Sequence, residues 1–133
     1  MSQKKLEEVL QRGIYGTPEI LPEERKLFLG TISERIYLAL TNSQVIKRGL
    51  YEEAAQLMKE YKSNIHLFVN GYLNYPTYSN YVQLANQNSV PFTIVSDGHE
   101  TPIGIVLAST KALDTPKEFF IKDQSYFNDI PND

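Results

Sequence analysis

Cysteine is missing from all 133 residues. Its absence excludes disulfides, thiol nucleophiles, zinc–thiolate sites and iron–sulfur clusters together. The chain must therefore fold on its hydrophobic core alone, and it suits a reducing compartment. Histidine is almost as scarce, with two residues, His66 and His99, which gives a metal centre little to build on. Long apolar runs are also missing, and none approaches the roughly 20 residues that a membrane-spanning helix needs. Near the amino terminus, Glu7 and Glu8 fall where a secretion signal would require an apolar stretch. A cytoplasmic protein with no membrane partner is the expectation. Gly-x-Gly-x-x-Gly, Walker, Gly-x-Ser-x-Gly and His-Glu-x-x-His patterns do not occur, so no motif asks for a cofactor or metal, or marks a catalytic residue.

What is present is ordinary globular material, 41% hydrophobic and 22% charged, enough for a core without staples. The length points to a single domain over 1–133. Within it lie a helical or irregular amino-terminal segment (1–30), an α/β core (31–113) and a tail (114–133). Basic and acidic residues balance over 1–113, so the net charge of −3 resides in the tail. A nucleic-acid binder needs a basic surplus to neutralise phosphates. The balance disfavours that class of partner while leaving room for a local basic face.

The order of elements is set by local signals. Ser2 is placed to cap a helix over 3–11, and Gly16, Pro18 and Pro22 punctuate the segment after it. Pro22-Glu23-Glu24 has the make-up of a helix start, with proline near N1 and acids in the first turn. Arg35 to Leu40 reads as a first strand, apolar on both faces as in a central parallel strand. Thr41 and Gln44 have capping-box spacing, opening a short helix to Arg48 that Gly49 stops. A longer helix carries Leu50, Ala54, Leu57, Met58 and Tyr61 at helical spacing. Ile65 to Val69 is a second strand. Asn74 or Thr77 then caps a helix whose apolar face is Tyr78, Tyr81, Val82 and Ala85. Pro91 to Ser96 and Ile103 to Ala108 are a third and fourth strand, and the short Gly-containing link between them predicts a hairpin. Helices between the first three strands predict parallel crossovers. The fold class expected is an α/β sandwich, with a mixed four-stranded sheet, a β-α-β-α-β-β core and one antiparallel edge. In the tail, Asp114 or Thr115 with Pro116 marks a helix start. Phe119, Phe120, Tyr126 and Phe127 are suited to docking on the body, and Asn128 to Asp133 is expected to be loose.

Several segments in fixed order carry a resemblance. Gly16-Thr17-Pro18, Pro22-Glu23-Glu24-Arg25, Leu29-Gly30-Thr31 and Glu34-Arg35 come first. Leu40-Thr41-Asn42, Val69-Asn70-Gly71 and Phe92-Thr93-Ile94-Val95 come after them. Over roughly residues 13–108 the chain resembles the YueI-like family of uncharacterised bacterial proteins. The resemblance implies a fold similar to the mixed-sheet sandwich of a trimeric chorismate mutase and of kink-turn RNA-binding ribosomal proteins. It implies no activity, and shared fold is analogy rather than mechanism.

Four clusters carry possible chemistry. Glu24, Arg25, Glu34 and Arg35 form the densest charge group; arginine suits bidentate carboxylate or phosphate binding, and a structural ion-pair network is the plainer reading. The run from Asn70 through Tyr72, Asn74 and Tyr75 to Tyr78 lies just past the carboxyl end of the second strand, where open α/β sheets place ligands. There, tyrosine and asparagine can contact a flat ligand or a partner, although Tyr72 could equally cover the sheet. Asp97, His99 and Glu100 are turn residues before they are a metal site, and His66 reads as satisfied packing within a strand. Asn42, with Lys47 and Arg48 beyond it, compares with the asparagine of the RNA binders, but the accompanying glycine and acid are missing. The leading expectation is a non-enzymatic binding module for a small anionic ligand or a protein, using Arg25, Arg35, Asn42, Asn70, Tyr72, Asn74 and Tyr75. Structured-RNA binding and a small enzyme with an arginine-lined anion site are the alternatives. Oligomerisation is compatible with all three.

Overall fold

A computed structural model describes residues 22–96, 100–113 and 118–130. The expected helix over 3–11, the helix start at 114–116, and Asp97 and His99 lie outside them. Helix α1 (Pro22–Leu27) ends at Leu29 and Gly30, both with positive φ, where the Gly30 N–H closes onto the Arg25 carbonyl at 2.7 Å. A 3-10 turn (Ser33–Arg35) leads into β1 (Ile36–Thr41). Helix α2 (Asn42–Ile46) begins in the expected capping box: Thr41 N–H donates to Gln44 Oε1 at 2.9 Å, and Gln44 N–H to Thr41 Oγ1 at 3.4 Å. It ends short of Arg48. Then come α3 (Glu52–Tyr61), β2 (Ile65–Asn70), α4 (Tyr75–Gln87), β3 (Phe92–Val95), β4 (Ile103–Ser109) and α5 (Gln124–Asp129).

The four strands form one mixed sheet in the order β1-β4-β2-β3. β2 and β3 are parallel, and β4 runs antiparallel to both β1 and β2. The fold class is as expected, but two placements within it are corrected. β4 is not an edge strand in a hairpin with β3; it lies in the interior, between β1 and β2. Burial is the reason: Ile103, Ile105, Val106, Leu107 and Ala108 are all at most 1% exposed, which demands cover on both faces. β1, expected to be central, is the outermost strand on the other side. A tail segment takes the place of a neighbouring strand there, with the Ala39 N–H bonded to the Phe119 carbonyl at 2.9 Å and Ala39 bridged to Phe120.

Two cores sandwich the sheet. On one face Ala54 and Met58 of α3 and Tyr78, Tyr81, Val82 and Ala85 of α4 pack on Leu38, Leu40, Leu67, Val69, Ile105 and Leu107. All four residues expected on the apolar face of α4 are there. On the other face Leu27, Phe28 and Leu29 join Phe119, Phe120, Tyr126 and Ile130 over Ile36, Ala39, Val106 and Ala108. Edge-to-face and tilted ring contacts run from Phe28 to Phe119 (5.5 Å), on to Phe120 (4.8 Å) and Tyr126 (5.2 Å). Asn128 to Ile130 are therefore less loose than expected, while 131–133 lie outside the described residues. α5 runs to Asp129, and Ile130 is only 5% exposed, because an apolar residue can be buried there at little cost in backbone order once a helix carries it.

Candidate functional site

Because β1, β2 and β3 all run one way, their carboxyl ends meet the start of β4 at one end of the sheet. Asn42 and Asn70 come together there. The Asn70 amide donates to Asn42 Oδ1 (3.3 Å) and to the Ile103 carbonyl (3.2 Å), and its Oδ1 accepts the Tyr72 N–H (3.0 Å). Asn42 donates its own amide to the Thr101 carbonyl (3.0 Å). Thr101 Oγ1 donates to the Leu27 carbonyl (2.7 Å) and accepts the Ile103 N–H (3.2 Å). Among the described residues no buried side-chain polar atom lacks a partner, and within this knot each amide nitrogen and oxygen is bonded at least once. It is tight as well. A Cβ on Gly104 would fall 2.7 Å from Val45 and 3.1 Å from the Thr41 carbonyl, and one on Gly71 would fall 2.9 Å from the Val95 carbonyl. Both sites need glycine for close approach.

This rigid base carries the loop between β2 and α4. Tyr72 is 59% exposed and Tyr75 57% exposed, with Asn74 exposed between them. Tyr72 does not cover the sheet. Asn74 takes the N-cap position of α4 without a side-chain cap bond. Ile46, on α2, is 60% exposed as well.

The two arginines do not join this group. Arg25 Nη1 turns back to the Gly30 carbonyl at 3.1 Å. Arg35 is exposed at the amino end of β1, with the whole strand (Ile36–Thr41) between it and Asn42, roughly 20 Å at 3.3 Å per residue. Nor do Glu24, Arg25, Glu34 and Arg35 form an ion-pair network. The buried Glu24 carboxylate instead accepts from Ser33, from Oγ at 2.5 Å and from N–H at 3.2 Å. His66 is half-buried rather than packed away. It stacks on Phe68 (4.5 Å between centroids) and pairs with Thr93 Oγ1 at 2.8 Å, and burial lowers its pKa.

Reading the sequence missed a second cluster, where α2 meets the tail. Asp123 caps α5 by accepting the Tyr126 N–H (2.9 Å). It also accepts from Tyr51 Oη (2.5 Å) and Gln44 Nε2 (3.1 Å), with Lys47 Nζ at 4.0 Å. Asp129 takes both the N–H (2.7 Å) and the Oγ (2.8 Å) of Ser43. Partial burial pushes the Asp123 carboxyl up, but the bonds from Tyr51, Tyr126 and Gln44 and the charge of Lys47 outweigh it and hold its pKa below the ordinary value. Burial first, and then the same carboxylate, push the Tyr51 phenol well up. Next to this cluster lies a groove of about 180 Å³ along Lys47–Glu53. The capping aspartate three residues before Tyr126 was the available signal, but its partners lie more than seventy residues away in sequence.

A third feature was legible and overlooked. Between Lys62 and Asp97 there is no Asp, Glu, Lys or Arg, although 22% of the chain is charged. Those residues build β2, the tyrosine loop, α4 and β3, so these elements, including the exposed Asn80, Gln83, Asn86 and Gln87 of α4, carry no formally charged side chain.

Fold and site together define a mixed-sheet α/β protein with a hydrogen-bonded polar end that carries an uncharged, tyrosine-bearing loop. The chain belongs to the family described as "Protein of unknown function (DUF1694)", whose model matches residues 3–118. It is 44% identical over 127 residues to the uncharacterized protein YueI of Bacillus subtilis (strain 168), covering 95% of each chain. It likewise superposes on the crystal structure of B. subtilis YueI with a TM-score of 0.82 at 42% identity, covering 96% of this chain and 98% of that one. The YueI-like resemblance is thus correct, and neither the family description nor the relative's name carries an activity. Among the described residues no helix is long and apolar enough to cross a membrane.

Proposed function

We propose that this chain is a non-enzymatic cytoplasmic binding module that engages a protein partner through the Tyr72–Tyr75 loop. One observation carries the reading: two tyrosines more than half exposed stand on an uncharged loop whose base is locked by the Asn42–Asn70 knot. Tyrosine supplies large contact area with few torsions to freeze, and the centres of protein interfaces are poor in charge and rich in aromatics. A preorganised loop lowers the ordering cost of association. The amides at its base are engaged with one another and with the main chain, which supports recognition by surface rather than by enclosure of a small anion, and the separated arginines point the same way. The absence of cysteine suits the cytoplasm.

Native mass spectrometry of complexes gently isolated from the source cells is the test, run on the parent chain and on Tyr72→Ala/Tyr75→Ala and Arg25→Ala/Arg35→Ala chains. A protein partner kept by the parent and the arginine variant, and depleted at least tenfold on the tyrosine variant, is the expected result. A retained small anion or RNA lost from the arginine variant would overturn the reading.

A further inference from the structure

The two edges of the sheet are treated differently. Phe119 and Phe120 lie along β1. β3 has β2 on one side and, among the described residues, nothing bonded on the other. The ladder settles which groups face outward. The Leu67 N–H bonds to the Pro91 carbonyl and the Gly71 N–H to that of Val95, with Leu67 level with Phe92 and Val69 with Ile94. Pro91, Thr93 and Val95 thus turn their main-chain groups toward β2, and Phe92 and Ile94 turn theirs to solvent. Proline commonly blunts an open edge by removing an outward donor. Pro91 cannot do so, because its nitrogen lies in the inward row. No charged side chain stands on β3 either, and Phe92 and Ile94 are 37% and 41% exposed.

From this geometry we infer that β3 pairs antiparallel with β3 of a second copy of this chain, joining two sheets into one of eight strands. The register is self-complementary. With the two-fold axis between the two Thr93 residues, Phe92 of each copy stands opposite Ile94 of the other. Both are hydrogen-bonded positions, so four N–H···O=C bonds form. The opposed side chains are the aromatic and β-branched pairing that stabilises sheets. A two-fold contact places every residue near the axis against its own copy, so any charge there meets a like charge. The charge-free stretch from Ser63 to Ser96 meets that condition across β3 and the amide face of α4 that would adjoin its twin. A heterologous partner can instead match a charge with its opposite. This contact uses the β3 edge, not the tyrosine loop, and stands apart from the function proposed above.

Sedimentation equilibrium of the full chain tests it. The parent is expected at twice the 15.2 kDa chain mass, and Ile94→Lys at the mass of one chain with an unchanged far-ultraviolet circular dichroism spectrum. Phe92→Glu/Ile94→Lys is expected to return to the dimer, because the register sets each acid against the partner's base. Thr93→Lys, on the axis itself, is the second variant should the first not fold, and hydrogen exchange should show slow amides at Phe92 and Ile94 in the dimer only. A monomeric parent, or a dimer that survives both lysine variants, would overturn the proposal.

Discussion

The β1 edge and the β3 edge of one sheet show two answers to the same physical problem. Each leaves a row of main-chain donors and acceptors without a neighbouring strand, and open rows invite association. At β1 the answer is internal: the tail lays Phe119 and Phe120 along the strand, buries both rings and is held by Asp123 and Asp129 on α2. At β3 the row stays open among the described residues, and no charged side chain stands on it. A chain that covers one edge so thoroughly has the means to cover an edge, which makes the bare one informative. The acidic tail, which carries the net charge, spends two of its carboxylates as clasps, and that explains why a charged segment sits against the body.

The largest effect on this contrast is expected from removing the cover at β1. Phe120 is 7% exposed and touches Phe28, Phe119 and Tyr126. Phe120→Ala should cost about 3–4 kcal/mol in urea unfolding, as buried Phe→Ala changes do. The variant should also associate through a newly open β1 edge, visible as concentration-dependent light scattering beyond the dimer expected of the parent.

Loosening the clasp should do less. Asp123→Asn keeps the shape but loses the charge in bonds from Tyr51, Gln44 and Tyr126, at an expected cost of about 2 kcal/mol. The pH dependence has a definite sign. The folded pKa of Asp123 lies below its unfolded value, so its contribution is complete above the ordinary carboxylate range and disappears as the pH falls through the folded value. The Asn variant should therefore lose more stability near neutrality than in acid, and a parent–variant gap that stayed constant from neutral to acid pH would contradict this account.

The smallest effect belongs to the open edge. His66, paired with Thr93 beside β3, has its pKa lowered by burial. As the pH drops through the ordinary imidazole range the unfolded chain takes up the proton first, so stability falls. His66→Gln should change stability by no more than about 0.5 kcal/mol at about pH 8. Urea titrations at about pH 5 should show the parent losing stability that the variant keeps.

Much of this molecule was determined by neighbours in sequence. The Thr41–Gln44 capping box, the Tyr78-Tyr81-Val82-Ala85 face and the extents of the four strands depend on bonds and periodicities a few residues long, so they can be read without knowing the fold. The Asn70–Tyr75 loop was legible for the same reason, since it had to come directly after a strand end. What only the tertiary structure decided rests on pairings between distant segments. β4 lies inside the sheet, and the tail replaces a strand beside β1. Asn42 meets Asn70 while Arg35 is left a strand's length away, and Asp123 reaches Tyr51 and Gln44. Strand order and side-chain meeting points depend on which surfaces bury most apolar area together, and that free energy is summed over the whole chain rather than held in any short stretch.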